Sequence, residues 1–354
     1  GTVAIGYQAG LTLTDGQYNT LVGYQTGDGL TTGNDNTIMG YIAGGSTNFN
    51  AGSYNTFLGS NAGNYAEGTF SNVYIGYRAA GTNKQGGYNV VIGDQAGYNP
   101  VGNQYSGSHN VFMGYAAGYN TGADRNVYIG SAAGQYTTGS YNTFVGQAAG
   151  TGGTTSAPFS SGQRNTAMGY SAMGSFTTGN NNVVIGYEAG DDMTSAGGSV
   201  LIGYEAGSKL TTSGEGVFIG EYAGQNSTNG TNVLIGARAG RGNVANPIGL
   251  YCIAIGYMAM QTPVGNSNIA IGYQAMKDTD AGTNSDASQN NIAIGYQSMG
   301  GTWADVQSNY NVAIGDYSMD AALNGALNNT ALGHYSLSSL TTGDSNVALG
   351  YSAG

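Results

Sequence analysis

One short hydrophobic pattern repeats along the whole chain. A glycine preceded by three strand-forming residues recurs at Gly6, Gly23, Gly40, Gly59, Gly76, Gly93, Gly114, Gly130, Gly146, Gly169, Gly186, Gly203, Gly220, Gly236, Gly256, Gly272, Gly295, Gly315, Gly333 and Gly350. This gives twenty units spaced 16 to 23 residues apart, 17 being the commonest interval. The residue three before the glycine is always β-branched, as in Val3, Thr20, Ile253 and Val347, and the residue just before it is always aliphatic or Met, as in Ile5, Val22, Met39 and Leu349. Positions two apart share one face of an extended chain, so each unit predicts a short strand, and the run is too short for a helix.

The mid-strand residue, two before the glycine, points to the other face and is apolar in every unit: Leu21, Phe57, Tyr74, Phe112, Phe144, then Ala from Ala254 onward. A solvated outer face would alternate apolar with polar, so both faces are expected to be covered, by a second layer of the same chain or by other chains. Most units place Asn four before the glycine, as in Asn19, Asn72, Asn182 and Asn311, which in stacked coils predicts an amide ladder. Three after the glycine the side chain is always small (Ala9, Thr26, Ala62, Ser298, Ala353), the mark of a close approach.

Two positions trade volume. Where the mid-strand residue is bulky, the fourth residue after the glycine is nearly always Gly; where it shrinks to Ala, Met or Leu replaces that Gly, as in Ala167/Met173, Ala254/Met260, Ala293/Met299 and Ala331/Leu337. Core layers conserve volume, so the two positions are expected to fill one layer; Ala4/Gly10 and Ala348/Gly354 in the terminal units are exceptions. Connections such as Leu30-Thr31-Thr32-Gly33 read as turns that re-enter the next strand. The expected fold is all-β, a single repetitive array over residues 1–354: a parallel β-solenoid or β-roll of about twenty coils. At about 4.8 Å per stacked strand, nineteen steps predict a rod of roughly 90 Å.

Composition narrows the function. Glycine supplies 65 residues but proline only 4, which excludes collagen, and 8% charged against 40% apolar residues argues against disorder. The net charge of −11, without basic clusters, speaks against nucleic acid and anionic membrane as partners. No apolar run reaches the ~18 residues of a membrane span. Both ends fall inside the repeat, so a fragment of a longer fibre is expected. Cys252 stands alone, which leaves no intrachain disulfide and no cysteine-based metal site.

The motifs Asn268-Ile269-Ala270-Ile271-Gly272, Asn291-Ile292-Ala293-Ile294-Gly295 and Asn311-Val312-Ala313-Ile314-Gly315 resemble the YadA-like head repeats of trimeric autotransporter adhesins. Asn165-Thr166-Ala167-Met168-Gly169-Tyr170 and Gly272-Tyr273-Gln274-Ala275 are similar to repeat arrays of phage-type tail fibres. The resemblance covers essentially the whole chain, although the common unit of 17 residues is longer than that of the head repeats, and no coiled-coil stalk or anchor is read within residues 1–354. It implies a left-handed β-roll, three chains side by side, displayed outside the cell or on a virion and used for attachment.

Candidate chemistry is sparse. Tyrosine follows the landmark glycine in twelve units, which reads either as a sugar-stacking ladder or as coil-to-coil stacking that stabilises the solenoid. The long connections 151–164, 243–251, 277–290 and 300–310 are the places for recognition, with Phe159, Tyr251, Trp303 and Tyr310 as candidate glycan or receptor contacts. Asp191, Asp192, Asp278, Asp280 and Asp286 lack the calcium β-roll and EF-hand spacings and read as solvated acids. His109 and His334 have no metal-ligand spacing. No cofactor, metal or catalytic residue is expected. The expected function is a structural fibre or adhesin shaft; the alternatives are an ice- or surface-binding solenoid and a glycan depolymerase carrying a carboxylate pair.

Overall fold

The computed structural model describes residues 1–45, 49, 51–82, 84, 86–100, 107–156, 159–243, 247–262, 265–278 and 287–354. It is all-β, a parallel β-solenoid of about 19 turns, and no α-helix occurs among the described residues. Two compact units divide the chain, Gly1–Asn180 and Asn181–Gly354, and the same repeat runs through both.

In the first unit the strands are β1 (Val3–Ile5), β2 (Thr20–Val22), β3 (Thr37–Met39), β4 (Thr56–Leu58), β5 (Val73–Ile75), β6 (Val90–Ile92), β7 (Val111–Met113), β8 (Val127–Ile129), β9 (Thr143–Val145) and β10 (Thr166–Met168). In the second they are β11 (Val183–Ile185), β12 (Val200–Ile202), β13 (Val217–Ile219), β14 (Val233–Ile235), β15 (Ile253–Ile255), β16 (Ile269–Ile271), β17 (Ile292–Ile294), β18 (Val312–Ile314), β19 (Thr330–Leu332) and β20 (Val347–Leu349). Within each unit every strand pairs in parallel with the next. Equivalent residues stand opposite each other whatever the length of the connection, as in Val73↔Val90, Tyr74↔Val91 and Ile75↔Ile92.

The landmark glycine ends each strand for two reasons. Its φ lies near +135°, as at Gly114 and Gly146, where side chains are rarely tolerated. A Cβ there would also meet the next coil's glycine carbonyl, 2.6 Å away for Gly114 against Gly130. The chain then turns, and the ladder continues around the corner: Gln25 N–H donates to Tyr7 O at 2.8 Å and Gly27 N–H to Ala43 O at 2.9 Å. The small residue third after the glycine is fully buried in most coils, as at Ala62, Ala117 and Ala149, which places it at the close approach its size implies.

The core lies between the mid-strand residue and the turns. Leu21, Phe57, Tyr74, Phe112, Tyr128, Phe144 and Phe218 are fully buried. A Cβ on the fourth residue after the glycine would press on the mid-strand side chain of its own coil: Gly63 on Phe57 at 2.8 Å, Gly118 on Phe112 at 3.0 Å, Gly224 on Phe218 at 2.7 Å. The two positions do fill one layer. The terminal exceptions are filled from the neighbouring coil, since Gly10 lies against Leu21 and Gly354 against Leu337.

The asparagines form the expected ladder. Asn36 and Asn55 donate their backbone N–H to Oδ1 of Asn19 and Asn36 at 3.0 and 2.9 Å, and each Nδ2 reaches the same acceptor at 3.0 and 3.1 Å. Nδ2 of these two also donates to a carbonyl of the following coil, Asn36 to Gly52 O at 2.8 Å and Asn55 to Thr69 O at 2.9 Å. These side chains are buried yet paired, Asn126 Nδ2 apart, which is what makes a polar column tolerable inside the solenoid. In the second unit Ser199 and Gly216 interrupt the column, and Cys252 takes an Asn position, donating its N–H to Asn232 Oδ1 at 2.8 Å.

Candidate interaction face and loop residues

The two strand faces meet different fates. The mid-strand residue is buried in every strand but β1, while its two neighbours are half-buried or exposed. Met39, Met113 and Met168 are 42%, 39% and 41% exposed although they sit in interior strands. The chain therefore covers the mid-strand face by itself. The uncovered face is the one carrying Val73 and Ile75, Val183 and Ile185, Ile269 and Ile271, an outward stripe of aliphatic side chains in each unit. The sequence pattern called for cover on both faces without saying which one the chain leaves open.

Beside this stripe stand exposed tyrosines that stack from coil to coil. Tyr7, Tyr24 and Tyr41 are spaced at 5.3 Å with rings within 16° of parallel, Tyr187 and Tyr204 at 5.1 Å, and Tyr273 and Tyr296 at 4.9 Å. Stacking between coils thus uses both faces of interior rings such as Tyr24 and Tyr273 and leaves their edges in solvent. The neighbouring Glu205 raises the Tyr204 hydroxyl to about 12, chiefly through a hydrogen bond between the two side chains. His109 stacks on Tyr88 at 4.9 Å, and His334 lies 4.2 Å from the Tyr335 ring, so both imidazoles join aromatic columns.

The four residues expected to contact a ligand are not brought together. Trp303 is fully buried and donates Nε1–H to Met299 O at 3.3 Å, a correction to its expected place on an exposed loop. It is among the largest side chains buried in the core, beside coils whose mid-strand residues are Ala293 and Ala313 in sequence. Phe159 is half-buried and stacks on Tyr136 at 6.1 Å. Tyr251 and Tyr310 are exposed, 65% and 55%, at the left-handed corner that precedes the Asn position, which Tyr18, Tyr54 and Tyr141 hold elsewhere. Pro158, Asp280, Asp286 and much of the 277–290 connection lie outside the described residues.

No family model matches the chain, and no curated protein is significantly similar to it. The site must be read from its own residues. Among the described residues no three His, Cys, Asp or Glu side chains cluster as metal ligands. Asp192 is held by Lys209 at 2.7 Å, and Asp278 lies 3.6 Å from Lys277. Cys252 is buried and its thiol is pushed up to about 11, mainly by burial and against the pull of two backbone hydrogen bonds, so it is not a nucleophile at neutral pH.

Proposed function

We propose that the chain is a non-catalytic fibre or adhesin shaft, displayed outside the cell or on a virion, in which three copies pack side by side through the outward strand face. The observation that carries this reading is the half-exposed aliphatic stripe of β2–β10 and β11–β19. Purely parallel sheets are almost always covered on both faces, and a stripe of Val, Ile and Met along every coil is costly to leave in water. A second copy of the same repeat has the matching period, so coil can meet coil along the stripe. The resemblance to trimeric adhesin heads supports the number three. Attachment then falls to side chains off the stripe.

The test is native molar mass by light scattering on the full chain, beside a variant with Ile202→Asp and Ile219→Asp on the stripe. A mass of three chains that falls to one in the variant, with unchanged β-type circular dichroism, is expected. A wild-type monomer at tens of micromolar would overturn the reading.

A further inference from the structure

A cleft crosses three coils of the first unit. It has a volume of about 220 Å³ and is lined by Asn61, Asn64, Tyr65, Arg78, Gly81 and Tyr98. Its origin is a missing side chain. The fifth residue after the landmark glycine is Asn64 after β4, Tyr98 after β6 and Tyr119 after β7, but Gly81 after β5, so one rung of that column is absent and its neighbours become walls. The floor is tight: a Cβ on Gly81 would stand 3.2 Å from Arg78 O, 3.3 Å from Asn61 O and 3.3 Å from the Tyr98 ring.

The cleft holds a cation whose edge is unused. Arg78 lies with its guanidinium carbon 5.0 Å from the Tyr77 ring centre and 5.6 Å from that of Tyr98, so aromatic faces support it, and no carboxylate pairs with it among the described residues. Glu67, two residues beyond Tyr65, is instead taken by Lys84 at 3.3 Å. A guanidinium stacked on rings keeps its planar fork of N–H donors for an oxyanion. In a chain of net charge −11 such a free cationic edge selects its ligand by charge as well as by shape. Around it, Asn64 Nδ2 lies 3.4 Å from Asn61 Oδ1, and Asn61 Nδ2 donates to Ser60 Oγ at 3.0 Å. These contacts leave Asn64 Oδ1 as an acceptor for a hydroxyl. Tyr65 is 53% exposed and offers ring surface at the rim.

We infer that this cleft binds one anionic sugar residue, its carboxylate or sulfate on the Arg78 fork, its hydroxyls on the Asn61 and Asn64 amides and a ring face against Tyr65 or Tyr98. A fork, an amide pair and aromatic walls within one small hollow form a set that a simple anion would not use in full. The inference gives the attachment role a ligand class and rests on that role.

The test is saturation-transfer NMR and calorimetric titration of the full chain with glucuronate, glucose 6-sulfate, glucose and acetate, on wild type, Arg78→Gln and Arg238→Gln. Gln already occupies the Arg78 position in other coils, at Gln25 and Gln95, with the same left-handed backbone, so the variant is compatible with the fold. Arg238 holds the equivalent place in its own coil and controls for net charge. Both anionic sugars are expected to bind more tightly than glucose or acetate, and Arg78→Gln to weaken them about ten-fold or more while Arg238→Gln does not. A preference for glucuronate or for the sulfate would identify the anion. Acetate binding as well as glucuronate, or glucuronate binding unchanged in Arg78→Gln, would overturn the inference. Binding and molar mass are separate readouts: a trimer that binds no sugar refutes this site alone, and a monomer that binds refutes the fibre alone.

Discussion

Replacing Phe57 by Ala and Gly63 by Met together should cost about 3 kcal/mol less than the sum of the two changes made singly. Phe57 is fully buried, stacks on Tyr74 at 4.7 Å and leans on Phe49 at 5.7 Å, so truncation to Ala leaves a cavity and costs about 3–5 kcal/mol. Gly63 lies at φ +57°, and a Cβ there stands 2.8 Å from the Phe57 ring. Met at that site alone overpacks the layer and takes up left-handed strain, about 2–4 kcal/mol in all. Combined, the Met side chain enters the volume the ring has left, as Met260 and Met276 do beside Ala254 and Ala270, at φ values of +52° and +50°. The double variant should keep the strain and the lost ring stacking and little else, giving a coupling of about 3 kcal/mol in favour of the pair. Stacked coils can open in parts, so the readout is native-state amide exchange at β4 and β5 rather than a single melting point. Additive effects of the two substitutions would refute the shared-layer argument.

Two further outcomes follow from buried polar groups. Asn110 Oδ1 accepts the Asn126 N–H at 2.8 Å and its Nδ2 donates to Ala123 O at 3.0 Å, so Asn110→Ala strands two buried backbone groups. It should cost about 3 kcal/mol, measured as lost amide-exchange protection at β7 and β8, and unchanged protection would contradict the ladder's role. Cys252, held protonated up to about 11, should resist a thiol-disulfide reagent at pH 8 until urea is added; rapid labelling of the folded chain would show the burial to be wrong. The sign of the linkage is fixed by the raised value: the unfolded chain loses this proton first, near 9, so the thiol's contribution is intact below that pH and is lost as pH rises through about 11.

The strands were legible because three residues and a glycine recur without exception, and register followed since each strand pairs with its own copy. The shared layer was legible for a similar reason: Phe144 with Gly150 and Ala254 with Met260 are the same volume divided differently. What the pattern hid was direction. Val73, Tyr74 and Ile75 are all apolar, so no alternation of polarity tells which face turns inward, and only the closing turns decide it. Trp303 was misplaced because it sits in a connection of irregular length, eight residues after Gly295, where no repeated apolar position marks it as core. The Arg78 cleft shows as the absence of a side chain at Gly81, which stands out only once the coils are laid against one another.

Each coil bends at left-handed residues: Ala132, Gly134 and Arg125 around β8, Gln95, Gly97 and Tyr88 around β6, Met258, Met260 and Tyr251 around β15. Side chains as unlike as Arg, Tyr, Ala and Met hold these places, so the bends belong to the backbone and to the rungs above and below them. Connections of different length leave from and return to the same hinges, and strand register survives spacings from 16 to 23 residues. The coil therefore behaves as a socket of fixed gauge. A foreign peptide spliced between its hinges would be displayed at a chosen height without disturbing the rungs on either side.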